Sequence, residues 1–176
     1  MSDPDSDYLW KRRDSVLYKA RMSSLYHGKR ERFLDLADKL GKAIAVIGSS
    51  AALWKIANPA ILAWVLVPVA AWSALSLVFS LSDRAKRHAE LGRQWRELIA
   101  SIEARGEREF TERDVSKWTA DAANLEAAEP PALAALVTQC QNQIHIADGH
   151  PECVHSIGLL PRALMHILDL PPKPTH

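Results

Sequence analysis

The sequence predicts an all-α protein organised around a two-helix membrane hairpin. Three observations lead there. Residues 56–82 carry no charged side chain, and basic residues crowd both sides of the hairpin. Elsewhere apolar residues recur in steps of three and four, and nowhere is the alternation of a strand sustained.

The 176 residues hold 22 Lys+Arg and 21 Asp+Glu, so whole-chain charge suggests no nucleic-acid partner. Its distribution says more. Residues 8–42 contain Lys11, Arg12, Arg13, Lys19, Arg21, Lys29, Arg30, Arg32, Lys39 and Lys42. The opening Met-Ser-Asp-Pro-Asp-Ser-Asp lacks a basic region followed by an apolar core, so no secretory signal is expected. Cys140 and Cys153 form no disulfide framework and suit a reduced compartment.

Residues 1–39 are expected to be a basic cytoplasmic region, with a helix over 7–40 capped by Ser6 or Asp7. Leu9, Val16, Leu17, Ala20, Leu25, Phe33, Leu36 and Leu40 give it an uneven apolar stripe. It suits anionic lipid or packing against the C-terminal part; Phe33, Leu36 and Leu40 favour packing for its second half.

Residues 40–82 are expected to form the hairpin, with spans near 40–57 and 59–82. Pro59 to Leu81 is 23 residues, about 35 Å of helix, against a hydrocarbon core of about 30 Å. The alternative is a buried helix of a soluble core. Pro68 is expected to kink it. The first span is weaker, with twelve uncharged residues, Ala43–Trp54, between Lys42 and Lys55. Extending it to Leu40–Ala57 requires both lysines to snorkel, and a re-entrant segment is the alternative. Lys42, Trp54, Lys55 and Arg84 are candidate interface anchors.

Asn58-Pro59 marks the turn. Gly41, Ala45, Gly48 and Ala52 form a small-residue face, faced by Ala60, Ala63, Ala70 and Ala74. Such faces let backbones approach in lipid, either inside the hairpin or between copies. Ser73, Ser76 and Ser80 share a stripe that either bonds its own backbone or lines a pore. Basic residues on both flanks, with Lys55 alone in the loop, put both termini in the cytoplasm and the chain in the inner membrane.

Residues 83–170 are expected to form a cytoplasmic helical region, and 171–176 a disordered tail. The helix of the second span is expected to run on unbroken from Asp83 to Arg105. His88, Leu91, Trp95, Leu98 and Ile102 form a coiled-coil seam on it. Its partner is the N-terminal helix of the same chain or a neighbouring copy, so Leu91, Trp95, Leu98 and Ile102 are candidate oligomerisation residues. Gly106 ends the helix. Thr111-Glu-Arg-Asp114 reads as a capping box, opening a helix to about Ala128 with Val115, Trp118, Ala122 and Leu125 on one face. Pro130-Pro131 restarts the chain into a helix presenting Leu133, Leu136, Val137, Cys140 and Ile144. Asp148-Gly149 closes it, and a last segment carries Ile157, Leu160, Leu164 and Ile167 around Pro161.

No catalytic set emerges: no phosphate loop, nucleophile elbow or metalloprotease motif is present. Cys140, His145, His150, Cys153 and His155 are potential zinc ligands within sixteen residues, but the spacing is poor and a core cysteine with surface histidines is favoured. His27 and His88 read as packing or interfacial residues, and Glu126 and Glu129 as solvated. No cofactor or metal is expected, and no enzyme.

The chain resembles the SLATT family of bacterial two-span effector domains. The resemblance lies in Tyr26-His27-Gly-Lys-Arg30-Glu-Arg32-Phe33, the compact hairpin, and the stretch from Arg84-Ala-Lys-Arg-His88-Ala-Glu-Leu91 to Trp95-Arg-Glu-Leu98. It covers roughly residues 20–147; the segment after Asp148 has no counterpart. It implies an effector of nucleotide-signalled antiphage systems that self-assembles and breaches the inner membrane, without catalytic residues. The expected function is a self-associating, membrane-permeabilising effector in antiphage or stress response. Alternatives are a phage holin-type lysis protein and a membrane-anchored scaffold that recruits a cytosolic protein to residues 111–170. The expected partners are the lipid bilayer and further copies of the chain.

Overall fold

The computed structural model describes residues 4–48, 64, 67–68, 70–72, 74, 80–107 and 109–171, with side chains from residue 7 onward and not at 47–48. Among them the regular elements are helical and there is no strand. Helix α1 covers Pro4–Gly48, α2 Leu81–Glu103, α3 Glu112–Ala127, α4 Ala134–Ala147 and α5 Leu159–Leu164, with a 3₁₀ turn at Pro151–Cys153. The chain divides into two units, residues 1–29 with 89–176, and residues 30–88.

α1 begins three residues before the expected start at residue 7. Pro4 occupies the first turn, where its missing N–H is no loss, and no further proline interrupts the helix before Gly48. Gly28 and Gly41 lie inside it, each a cost of about 1 kcal/mol that length and packing absorb.

In the first unit, α1, α2 and α3 share one core. Val16, Leu17 and Ala20 meet Trp95, Leu98 and Ile102, and Val115, Trp118 and Ala122 close it, with Leu9, Ile99, Phe110 and Leu125 packed around. α3 begins as its sequence dictates. Thr111 Oγ1 accepts from the Asp114 N–H at 3.3 Å, and Asp114 Oδ2 accepts from the Thr111 N–H at 3.0 Å. Gly106, with φ 68°, ends the turn after α2, and Gly149, with φ 82°, the turn after α4. Both take the left-handed conformation that only glycine adopts without strain. A second cluster sets Tyr26 of α1 against Ala135, Leu136 and Cys140 of α4 and against Met165.

Two expectations about helices are corrected here. The helix from the second apolar segment does not run unbroken into Asp83–Arg105. Ser80 has φ 44°, and its carbonyl accepts from the N–H groups of Asp83 and Arg84, both at 3.0 Å, so α2 starts afresh at Leu81. The multi-pass inner-membrane location with both termini cytoplasmic is also overturned, because no helix among the described residues is long and apolar enough to cross a membrane. The physical reason is visible in α1. Its apolar end from Leu40 to Gly48 finishes a helix studded with charge, including the pairs Asp35–Lys39 at 2.7 Å and Asp38–Lys42 at 2.6 Å.

Candidate functional site

The second unit presents apolar side chains outward. Along α1, Leu36, Leu40 and Ile44 recur every four residues and are all exposed, while Leu34 and Asp38 of the same helix are buried. Trp64 is 83% exposed and Val67 68%. Trp72 is partly covered, and a Cβ at Gly41 would overlap its indole. Gly41 is thus a point of close approach inside this unit, with Trp72 against it. The absence of a side chain at Gly41 is what admits the indole.

A buried polar junction marks the first unit. Glu129 follows α3, just before Pro130-Pro131. Its Oε1 accepts from the Trp95 indole N–H at 2.6 Å and from His27 Nε2 at 2.9 Å. His27 is fully buried, and the Glu129 side chain is 18% exposed. A Cβ at Gly92 would come to 3.4 Å of His27 Cβ, so α2 passes α1 closely there. Next to His27 on α1, the Tyr26 hydroxyl accepts from the Leu133 N–H at 3.2 Å. One carboxylate oxygen therefore ties α1, α2 and the α3–α4 linker together. The sequence reading of Glu129 as solvated is corrected; Glu126 is exposed and pairs with Lys19 at 2.8 Å. A carboxylate one residue ahead of a double proline was the available signal, since the linker there is forced back toward the bundle.

The seam residues are core residues. Trp95 and Ile102 have no exposed surface, and Leu91 and Leu98 are buried. Trp95, Leu98 and Ile102 pack with Val16, Leu17 and Ala20 of the same chain, with α3 as the third wall. Of the small-residue face, Gly41 is buried, Ala45 is half-buried, Gly48 ends α1, and Ala52 lies outside the described residues. Ser80 sits in an exposed turn; Ser73 and Ser76 lie outside the described residues. Among the interface candidates, Lys42 pairs with Asp38 and Arg84 is exposed, while Trp54 and Lys55 are not described.

The sulfur and imidazole groups do not converge. Cys140 is buried and Cys153 exposed. Burial pushes the Cys140 thiol up to about 11, against a smaller opposing pull from Lys29. His150 pairs with Glu152 at 3.1 Å, His145 lies against Tyr18, and the backbone of His155 is held by the Asn142 amide at 2.7 and 2.8 Å. Among the described residues no three metal-ligating side chains cluster. Beyond Pro151, the exposed apolar residues are Val154, Leu159, Leu160, Ile167 and Leu168.

Compared with protein-family models, curated proteins and solved structures, the chain matches none.

Proposed function

We infer that the chain is a self-associating effector that perturbs a lipid bilayer through the apolar surface of residues 36–82. The observation that carries this reading is the exposure of Trp64 and Val67, within an uncharged stretch, together with that of Leu36, Leu40 and Ile44 on α1. Large apolar side chains left in water suit a lipid or protein contact, and tryptophan favours the headgroup boundary. The resemblance to SLATT effectors at Tyr26–Phe33 and Arg84–Leu98 supports the same reading and suggests a role in bacterial antiphage or stress response. In this reading assembly uses the apolar surface of the second unit, since the α2 seam lies inside the first.

Dye release from anionic vesicles tests it. The purified chain releases dye, and Trp64→Asp with Val67→Asp abolishes release while leaving the helical spectrum intact. Failure of the unaltered chain to bind or permeabilise vesicles refutes the reading. The exposed Leu159, Leu160, Ile167 and Leu168 favour a second reading, a scaffold that recruits another protein. Binding to a cellular protein that survives Trp64→Asp but not Leu160→Asp would mark it.

A further inference from the structure

We propose that the cleft between α4 and α5 binds the carboxylate end of a peptide whose last residue is aliphatic. Gln139, Asn142, Gln143 and Ile146 recur at i, i+3, i+4 and i+7, so they share one face of α4. Asn142 also fixes the facing segment. It is only 9% exposed, and its amide takes both backbone groups of His155. Nδ2 donates to the His155 carbonyl at 2.7 Å, and Oδ1 accepts from the His155 N–H at 2.8 Å. The chain beyond the 3₁₀ turn is thereby pinned to α4. The stripe on α4, then Val154, His155 and Ile157 of that chain, and finally Arg162 of α5, line one cavity of about 330 Å³. Ligand cavities run from about 300 to 1,000 Å³, so this one suits a short peptide end rather than a whole helix.

The lining selects for charge and for apolar character. No carboxylate belongs to it, and its one guanidinium, on the exposed Arg162, makes no ion pair among the described residues. A guanidinium fork with no acid beside it calls for an oxyanion, and it meets both oxygens of a carboxylate at once. A single such cation suits a singly charged carboxylate better than a phosphate. Ile146 is 59% exposed and Val154 39%, with Ile157 half-buried. An aliphatic ligand side chain laid on these three removes apolar surface from water on both partners. The carboxamides of Gln139 and Gln143 favour a peptide over a fatty acid. Among the described residues neither is engaged by protein. Each offers a donor and an acceptor, which a peptide group satisfies and a hydrocarbon chain does not. The cleft belongs to the first unit, whereas the bilayer contact is read on the second, so either stands without the other.

The full chain is titrated with acetylated tripeptides ending in Val, Leu and Ile as free acids. The same peptides amidated at the C-terminus, and octanoate, are titrated in parallel. The carboxamide resonances of Gln139 and Gln143 are followed. The free acids should give saturable shifts. The amidated peptides should bind about tenfold more weakly or worse, the loss expected when a charge-assisted bond goes, and octanoate more weakly than the free acids. Arg162→Gln should cost the free acids about the same factor and leave the amidated peptides unchanged. Ile146→Asp, which sets a carboxylate against that of the ligand, should abolish binding of the free acids. Both positions are exposed, so the helical spectrum should persist in each variant. Octanoate that binds as tightly as the peptides marks a lipid site and overturns the proposal. So do amidated peptides that bind as well as the free acids, free acids that give no saturable shift, and free-acid binding that Arg162→Gln leaves intact.

Discussion

Removing the Glu129 carboxylate is the perturbation most closely tied to the fold. Glu129→Ala deletes the one oxygen that accepts from both Trp95 Nε1 at 2.6 Å and His27 Nε2 at 2.9 Å. The two donors stay where packing holds them, each in a residue with no exposed surface. An orphaned buried donor costs about 1–3 kcal/mol, so the pair amounts to roughly 3–4 kcal/mol, with a discount for the edge of Glu129 that water reaches. Against the roughly 5–15 kcal/mol of a typical domain, that is a large fraction. Glu129→Gln is the informative companion, because its amide oxygen still accepts both bonds, without charge; its expected cost is about 1 kcal/mol. Urea unfolding followed by tryptophan emission measures both, and the indole N–H resonance of Trp95 reports the local bond. Equal losses for Ala and Gln, or a loss below about 0.5 kcal/mol for Ala, would refute the idea that this carboxylate clamps the bundle.

Replacing Trp95 and Leu98 together by Asp buries two charges in the α1–α2–α3 core, at several kcal/mol each. The expected outcome is loss of the cooperative unfolding transition, and a folded variant of lower oligomeric state would contradict it. A thiol reagent at pH 8 should label Cys153 rapidly and Cys140 only after denaturation, since burial holds the Cys140 thiol up near 11; two equally fast thiols would refute this. Asp114 is held below the ordinary aspartate range, first by the Thr111 N–H, then by the Thr111 hydroxyl, with a smaller contribution from Arg105. A depressed folded value means that its contribution is complete above the unfolded pKa and is lost as pH falls through the folded one. Acid should therefore loosen the start of α3, and Asp114→Asn should flatten that acid limb in amide exchange; an unchanged acid limb would contradict the assignment.

How much was legible depended on whether the buried face was apolar. α2 announces its seam because Leu91, Trp95, Leu98 and Ile102 are large and apolar against an Arg- and Glu-rich background. α3 announces its start because Thr111 and Asp114 make a local motif that needs no tertiary partner. α1 hides its inward face, which carries Arg13, Ser23 and His27 among Val16, Leu17 and Ala20. Hydrophobic periodicity cannot see such a face, so its apolar stripe reads as uneven. The outward Leu36 and Leu40 read as packing residues for the opposite reason: they are apolar at helical spacing, yet nothing in sequence records which side of a helix is covered.

By itself the sequence determined the helical class, the glycine and capping-box boundaries, the seam on α2 and the uncharged stretch from Ile56 to Ser82. These are local properties, set by backbone preference and side-chain spacing over a few residues. The tertiary structure decided the rest. It chose residues 16–20 over a neighbouring copy as the partner of the seam, and brought Glu129 to His27 across 102 residues of chain. It also set Ser80 in a left-handed turn just ahead of α2. Each of these depends on which surfaces meet, and that is a competition among long-range contacts whose energies no short window of sequence contains.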